Sequence, residues 1–406
     1  VVKSQNIREG IDYFPLMINF EEKMYAAGKI KGSRFMKREG RPSDESILSG
    51  RVIDRSLRPL FDDRMRNDIQ VVLTALSVDG ENDAAITALI AASAVLSLSP
   101  IPWNGPIGAA RIGRDEQGEY ILNVGTTQLE TSDMDIIVAG TPEKLVMVEA
   151  GANQVQDGDM FAAMKWGCEQ LKPVIDLIEQ AQKELGVVKD EVELTEEEIL
   201  TTAKSETKAF VSSVAESMIF DSKKVSKKER VAAVEKIKDA AKEQLAAKGY
   251  EEDVVSAALS NIKQYFSEEI TKRILDNDQR LDGRSLTEIR ELLADIDLLP
   301  RVHGSAMFMR GDAQELSIVT LAAPGDVQLL DTMEIDRAQR YFHHYNDAPY
   351  TYGEAGFMRG PSRRAIGHGA LAERALEPVL PEQNDFPYTM RVVSEILGSN
   401  GSSSMA

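Results

Sequence analysis

Pro361-Ser-Arg-Arg-Ala-Ile-Gly-His-Gly-Ala-Leu-Ala-Glu-Arg-Ala-Leu-Glu-Pro-Val379 has an earlier counterpart in the chain, Pro42-Ser-Asp-Glu-Ser-Ile-Leu-Ser-Gly-Arg-Val-Ile-Asp-Arg-Ser-Leu-Arg-Pro-Leu60. Laid together without a gap, they bring Ser43 over Ser362, Gly50 over Gly369, Arg55 over Arg374 and Pro59 over Pro378. Further on, Val71-Val72 falls over Val392-Val393 and Asp79-Gly80 over Asn400-Gly401. Upstream, Phe20, Tyr25 and Gly28 fall over Tyr345, Tyr350 and Gly353. One match could arise by chance, but the same order across about sixty residues argues for a duplicated domain.

The copies differ where chemistry would be done. Arg363-Arg364 stand where the first copy has Asp44-Glu45, and Ser402-Ser403-Ser404 stand where it has Glu81-Asn82-Asp83. Forked guanidinium donors, hydroxyls and the free N–H groups of a starting helix are what an oxyanion site needs, and phosphate fits. Carboxylates in their place repel a dianion, so the first copy is expected to be inert. Alone, an Arg-Arg pair is most often a surface ion-pair partner and Ser-Asn-Gly-Ser-Ser-Ser a flexible linker. Their joint loss at matched positions weakens both bland readings. His368, four residues after Arg364, shares its helical face. A structural, hydrogen-bonded histidine is the equal alternative to a substrate contact there. His343 and His344 point to opposite faces of a strand and have no third ligand, so a metal site is not read there. Asp133 and Asp135 lie on one face of a strand and are a minor candidate for holding a cation.

Three regions separate by pattern. Residues 1–155 alternate short β-branched runs (Ile69 to Leu73, Asp135 to Val138, Leu145 to Val148) with a helical stretch over Ala84 to Leu98. Over residues 156–275 the strand signals vanish. Phe161, Met164, Cys168, Leu171, Ile175, Ile178, Ala181 and Leu185 recur at helical spacing, predicting an amphipathic helix. Thr195 to Glu198 reads as a capping box, and the helices that follow break near Gly249. Residues 276–406 return to strand-like runs, Leu316 to Leu321 and Met390 to Ile396. The fold class is therefore α+β, with two copies of one core and an all-helical insert between them.

The chain has 406 residues, 43% of them hydrophobic, which is ample for two or three cores. Its single cysteine, Cys168, excludes an internal disulfide and points to a reducing, cytoplasmic setting. Ala84 to Leu98, the most apolar stretch, is broken by Thr87, Ser93 and Ser97 and is shorter than the ~20 residues a membrane span requires. The chain begins at Val1 in polar sequence with no signal-peptide pattern and ends as a helix is starting, so it reads as cut from something longer. A formal charge of −19 argues against general coating of nucleic acid. One basic run stands out, with Lys29, Lys31, Arg34, Lys37, Arg38 and Arg41 opposed by Glu39 alone. A solvated loop is the bland reading, but Phe35 and Met36 among the cations favour a nucleic-acid contact, since such side chains can stack on bases.

At this point the motifs resemble a known family. Arg280-Leu-Asp-Gly-Arg284, Leu299-Pro-Arg-Val-His-Gly-Ser305, Tyr341-Phe-His-His-Tyr345, Ser362 to Gly369 and Val393 to Met405 resemble the second RNase PH-like domain of bacterial polynucleotide phosphorylases. Phe35 to Ser43, Arg55 to Phe61 and Asn104 to Arg111 resemble the first. The resemblance covers nearly the whole chain. It implies duplicated RNase PH-like cores, of the ribosomal protein S5 domain 2-like fold, with a helical linker domain between them. It implies a homotrimeric ring threaded by RNA, with Phe35, Met36, Lys37, Arg38 and Arg41 gripping it. Met36 and Lys37 stand where the family often has Phe and Arg.

The resemblance places the phosphate site at Arg363, Arg364, Ser402, Ser403 and Ser404, with His368 beside them, and Arg363, Arg364 and His368 are the expected catalytic residues. It implies a 3′-to-5′ exoribonuclease, a reversible nucleotidyltransferase that uses phosphate to release nucleoside diphosphates in mRNA turnover. Magnesium, or manganese in its stead, would be held by acids beyond Ala406. The piece alone is therefore expected to be inactive, and no metal site is assigned within it. Helicases or endonucleases of RNA degradation are its expected partners, and no membrane is. The rival readings are an inactive RNA-binding ring subunit of an exosome-like assembly and a hydrolase that uses water.

Overall fold

The computed structural model describes residues 1–7, 11, 13–32, 37–192 and 198–403. Phe35, Met36, Ser404 and residues 195–197 of the expected capping box lie outside them.

The first copy opens with β1 (Val2–Ile7), β2 (Leu16–Glu21), α1 (Asp44–Leu57), β3 (Asn67–Thr74) and α2 (Ala84–Ser97). β3 lies between the other two strands, parallel to β2 and antiparallel to β1. α1 is the crossover helix between the parallel pair. The Ser43 hydroxyl starts it by accepting a hydrogen bond from Ser46 N at 3.0 Å. It buries Val52, Ile53 and Leu57 against Ile18, Phe20, Ile69 and Val71. Then come β4 (Gly108–Arg114), β5 (Tyr120–Leu122), α3 (Thr126–Leu129), β6 (Met134–Gly140) and β7 (Leu145–Ala152), paired in the order β5-β4-β6-β7.

α4 (Asp157–Glu169) and α5 (Lys172–Leu185) follow, and they depart from the expectation in two ways. The predicted single helix is two, broken at Gln170 and Leu171, just before Pro173. Their buried residues Ala163, Leu171 and Ile175 enter one cluster with Ile112, Ile136 and Val138 of the β4–β6 sheet. They therefore pack with the first copy, although the expected boundary at 156 assigns them to the helical insert. Helical periodicity gives a buried stripe but not the surface that the stripe meets. Phe161 and Leu185, read as part of that stripe, are exposed.

The separate helical core is made by α6 (Glu198–Val214), α7 (Lys227–Ala247), α8 (Glu252–Leu259) and α9 (Ile262–Asn277). Its centre holds Val211, Ile219, Ile237, Leu245, Leu259 and Phe266. Ser226 and Glu229 form a reciprocal capping box at the start of α7. The helix ends just before Gly249, as the sequence predicts.

The second copy comprises β8 (Leu292–Ile296), β9 (Gly304–Arg310), β10 (Ala313–Ala322), β11 (Gln328–Asp331), β12 (Asp336–Gln339), β13 (Tyr341–Asn346), α10 (Arg363–Leu376) and β14 (Thr389–Gly398). β11 and β12 form a hairpin, and the main sheet runs β13-β14-β10-β9-β8. β14 is parallel to β13 and antiparallel to β10, repeating the arrangement of β3 with β2 and β1. The registers agree as well: Ile18 pairs with Val71, and their counterparts His343 and Val392 pair with each other. Ser362 starts α10 by accepting from Ala365 N at 3.0 Å, as Ser43 does for α1. The duplication read from sequence is thus a duplication of strand, crossover helix and strand.

α1 and α10 pack against each other, so the two copies meet through their crossover helices. Arg374 of α10 pairs with Glu149 of β7, tying the copies again. No helix among the described residues is long and apolar enough to cross a membrane.

Candidate functional site

The N-terminal turn of α10 faces the first copy, and this decides where its two arginines go. Arg363 donates through Nη1 to the carbonyl oxygen of Ile18 at 2.7 Å, so one arm of its guanidinium ties the copies together. Arg364 turns the other way and lies over the ring of Tyr352, 5.4 Å from its centroid. One turn on, the His368 ring meets Tyr345 edge-to-face at 4.8 Å. The Tyr345 hydroxyl is 2.6 Å from Ser403 Oγ, and Ser403 is buried. Arg364, His368, Tyr345 and Ser403 therefore form one group. Ser402 is exposed and backbone-strained at φ 54° on the same turn.

Two further cations come from the first copy, Arg51 and Arg55, neither of which the sequence reading assigned to the site. Arg51 of α1 runs across α10 at Gly367, where an added Cβ would lie 2.3 Å from its Nε. Only glycine leaves that passage open. Arg55 lies one turn along α1. Among the described residues, none of Arg51, Arg55, Arg363 and Arg364 makes an ion pair. Their combined field is visible at His368. Burial, and then Arg364, Arg51 and Arg55, push its pKa down to about 4, with Asp347 opposing them. Its Nδ1 is buried and has no hydrogen-bond partner among the described residues. Arginines gathered without an ion pair beside an unsatisfied ring nitrogen suit an anion with acceptor oxygens.

The second copy's sheet is polar beneath this group. His343 and Tyr345 replace Ile18 and Phe20 of the first copy, and Ser394 replaces Leu73. His343 is buried between Tyr341 OH at 3.0 Å and Ser394 Oγ at 2.7 Å, and Ser394 in turn donates to Glu315 at 2.6 Å. His344 points to the exposed face and accepts from Arg391 Nε at 3.2 Å. The structural reading of this histidine pair agrees with that arrangement.

The matching position in the first copy has the opposite character. Asp83 caps α2 by accepting from Ile86 N at 2.9 Å and pairs with Arg111. Asp135 also binds Arg111, and Asp133 binds Arg114. The two aspartates considered for a cation are therefore neutralised by arginines, which corrects that reading. Between the N-terminus of α1 and the β13 edge lies a cavity of about 330 Å³ lined by Asp44, Glu45, Glu373 and His344, an acidic counterpart to the cationic cluster.

Of the basic run, Lys37, Arg38 and Arg41 are exposed. Lys37 Nζ donates to Lys31 O at 3.2 Å, and Lys29 Nζ to Thr332 O of the second copy's hairpin at 3.2 Å. The loop is thus anchored at its start, with Arg38 and Arg41 directed to solvent.

The sequence profile of the 3′ exoribonuclease family, domain 1, matches residues 2–102 and 288–406, one segment in each copy. Domain 2 of that family matches residues 105–170, a span that includes α4. The chain is 44% identical over 405 residues to the polyribonucleotide nucleotidyltransferase of Alkaliphilus oremlandii, covering 99% of this chain and 56% of that protein. It is 42% identical over 397 residues to the protein of the same name from Bacillus subtilis, covering 98% and 55%. The chain spans about half the length of these curated relatives.

Proposed function

The chain belongs to the 3′ exoribonuclease family, and from that premise we propose that it carries the phosphate-binding core of a polyribonucleotide nucleotidyltransferase, which shortens RNA from its 3′ end by phosphorolysis. Inorganic phosphate binds at the start of α10, between Arg364, His368 and the Ser402–Ser403 turn. One of its oxygens attacks the terminal phosphodiester. The new P–O bond forms as the bond to the 3′-oxygen of the preceding nucleotide breaks. That oxygen takes up a proton, and a nucleoside diphosphate leaves. The same steps in reverse make a polymerase.

The observation that carries this reading is the cationic cluster around His368. Arg51, Arg55 and Arg364 hold like charges together with no ion pair among the described residues, and although Glu149 and Asp54 act on Arg51 from further off, an incoming phosphate relieves the remaining repulsion. They act by stabilising charge on the transferring group, so no protein nucleophile is needed. His368 is neutral before phosphate arrives. A bound dianion opposes the arginines and raises its pKa, so that the ring becomes able to hold a proton at the site.

Magnesium is part of the proposed activity, but the residues described here do not fit it. No group of three or more His, Cys, Asp or Glu side chains gathers among them, and Asp133 and Asp135 are bound to arginines. Lys37, Arg38 and Arg41, with Phe35 and Met36, are proposed to hold single-stranded RNA. A homotrimeric ring, a cytoplasmic setting and partners in RNA degradation belong to the same proposal.

Phosphate affinity can be tested on this chain directly. A ligand bound only to the folded state stabilises it by about 2.7 kcal/mol at a hundred times its Kd. Inorganic phosphate should therefore raise the Tm of the chain in a saturable way, and Arg364→Ala should abolish the rise. A Tm that ignores phosphate, or a rise that survives the substitution, would remove the assignment.

A further inference from the structure

The two copies close the same turn in opposite ways. Asp79-Gly80-Glu81-Asn82 and Asn400-Gly401-Ser402-Ser403 both pass through a left-handed glycine, with φ of 79° at Gly80 and 78° at Gly401. Glycine permits this conformation, and successive N–H groups around it make a concave anion site. In the first copy that site is already filled. Asp79 Oδ1 accepts from Glu81 N at 3.0 Å and from Asn82 N at 2.9 Å, and its other oxygen accepts from the Asn82 side chain. These donors hold the Asp79 carboxyl down to about 2. The first copy carries its own anion.

In the second copy the residue at that position is Asn400, and its side chain is turned away from the turn. Its Oδ1 accepts from Arg230 of α7, and its Nδ2 donates to Asp312 Oδ2 at 3.2 Å. The carbonyls of the turn are also gripped from outside. Arg290 donates to Asn400 O at 2.9 Å, and Arg310 to Gly401 O at 3.2 Å and Ser402 O at 2.9 Å. The backbone N–H groups of Ser402 and Ser403 have no acceptor among the described residues.

We propose that Arg230 and Asp312 are positioning residues for the phosphate site: they hold the Asn400 side chain outward and so keep the N–H groups of Ser402 and Ser403 open to an oxyanion. A side chain of the helical insert thereby sets phosphate affinity. Released from Arg230, the Asn400 side-chain oxygen can fold into the turn as Asp79 does and compete with phosphate. This rests on the phosphate-site reading above.

The test is steady-state phosphorolysis by the full-length protein, with the KM for phosphate and the KM for RNA measured separately. Arg230→Met should raise the phosphate KM about tenfold, with kcat and the RNA KM unchanged. Arg230→Met with Asn400→Asp reproduces the first copy's turn and should raise it further, about a hundredfold. In an Asn400→Gly background, where no side chain can swing in, Arg230→Met should have no effect. Asp312→Asn, nearly isosteric, gives the same direction should Arg230→Met fail to fold. Arg364→Ala is the reference. If it raises the phosphate KM while the Arg230 and Asn400 variants do not, the positioning role is wrong and the site stands. If Arg364→Ala also leaves the phosphate KM unchanged, the site itself is wrong. An Arg230→Met effect that persists with glycine at 400 would mean that Arg230 does not act through Asn400, and would overturn the proposal.

Discussion

His368 sits where burial and three arginines all disfavour its charged form, and its titration follows from that. The folded pKa of about 4 lies below the ordinary 6.5. Between those values the unfolded chain binds the proton more readily. The stability contributed by the neutral ring is therefore complete above pH 6.5 and is lost as pH falls towards 4. His368→Gln should flatten the decline of Tm across that window, and an unchanged profile would show that the ring does not titrate as described. Phosphate should move the pKa upward, which histidine C–H chemical shifts followed by NMR would report.

The two adjacent arginines should also separate. Arg364→Ala should cost at least ~1.5 kcal/mol in kcat/KM for phosphate, the lower range for a hydrogen bond to a charged group. Arg363→Ala removes the donor to Ile18 O and should in addition lower Tm. Equal effects of the two on both measurements would contradict the placement. At this scale the sequence revealed the arginines and serines because the sister copy lacks them. It could not reveal Arg51, whose approach depends on a helix from the other copy crossing at Gly367, nor the hydroxyl bond from Tyr345 to Ser403.

At the scale of elements, the proposed function rests on the basic loop and the crossover helices. Lys37→Glu with Arg38→Glu should weaken retention of long RNA. Each lost phosphate contact should reduce the slope of log K against log salt by about 0.7 for a single strand. Filter binding across a salt series would show it, and an unchanged slope would return these residues to a solvated loop. Gly367→Ala places a methyl group against the flexible Arg51 side chain. Tm should change little while phosphate affinity falls, because the arginine must move aside. A normal phosphate affinity would show that the position of Arg51 is unimportant.

The β-runs and the break at Gly249 were legible, because Gly and β-branched residues impose local geometry. The assignment of α4 and α5 was not. Leu171 and Ile175 announce a buried face in any helix, and only tertiary packing shows that the face covers Ile112 and Ile136.

Across the whole molecule, a formal charge of −19 coexists with a local cationic cluster because the two copies differ in where they place carboxylates and arginines. The first copy fills its turn with Asp79 and neutralises Asp133 and Asp135 with arginines, and its core strands are apolar at Leu16, Ile18 and Phe20. The second copy accepts polar groups in its core and unpaired cations on α10. Such a concentration of unfavourable features in one copy is the mark of a site. The most direct measurement follows labelled inorganic phosphate during RNA decay by the full-length protein. Phosphorolysis predicts that decay requires phosphate and that the label appears as the β-phosphate of released nucleoside diphosphates. Decay without phosphate, giving unlabelled nucleoside monophosphates, would contradict it.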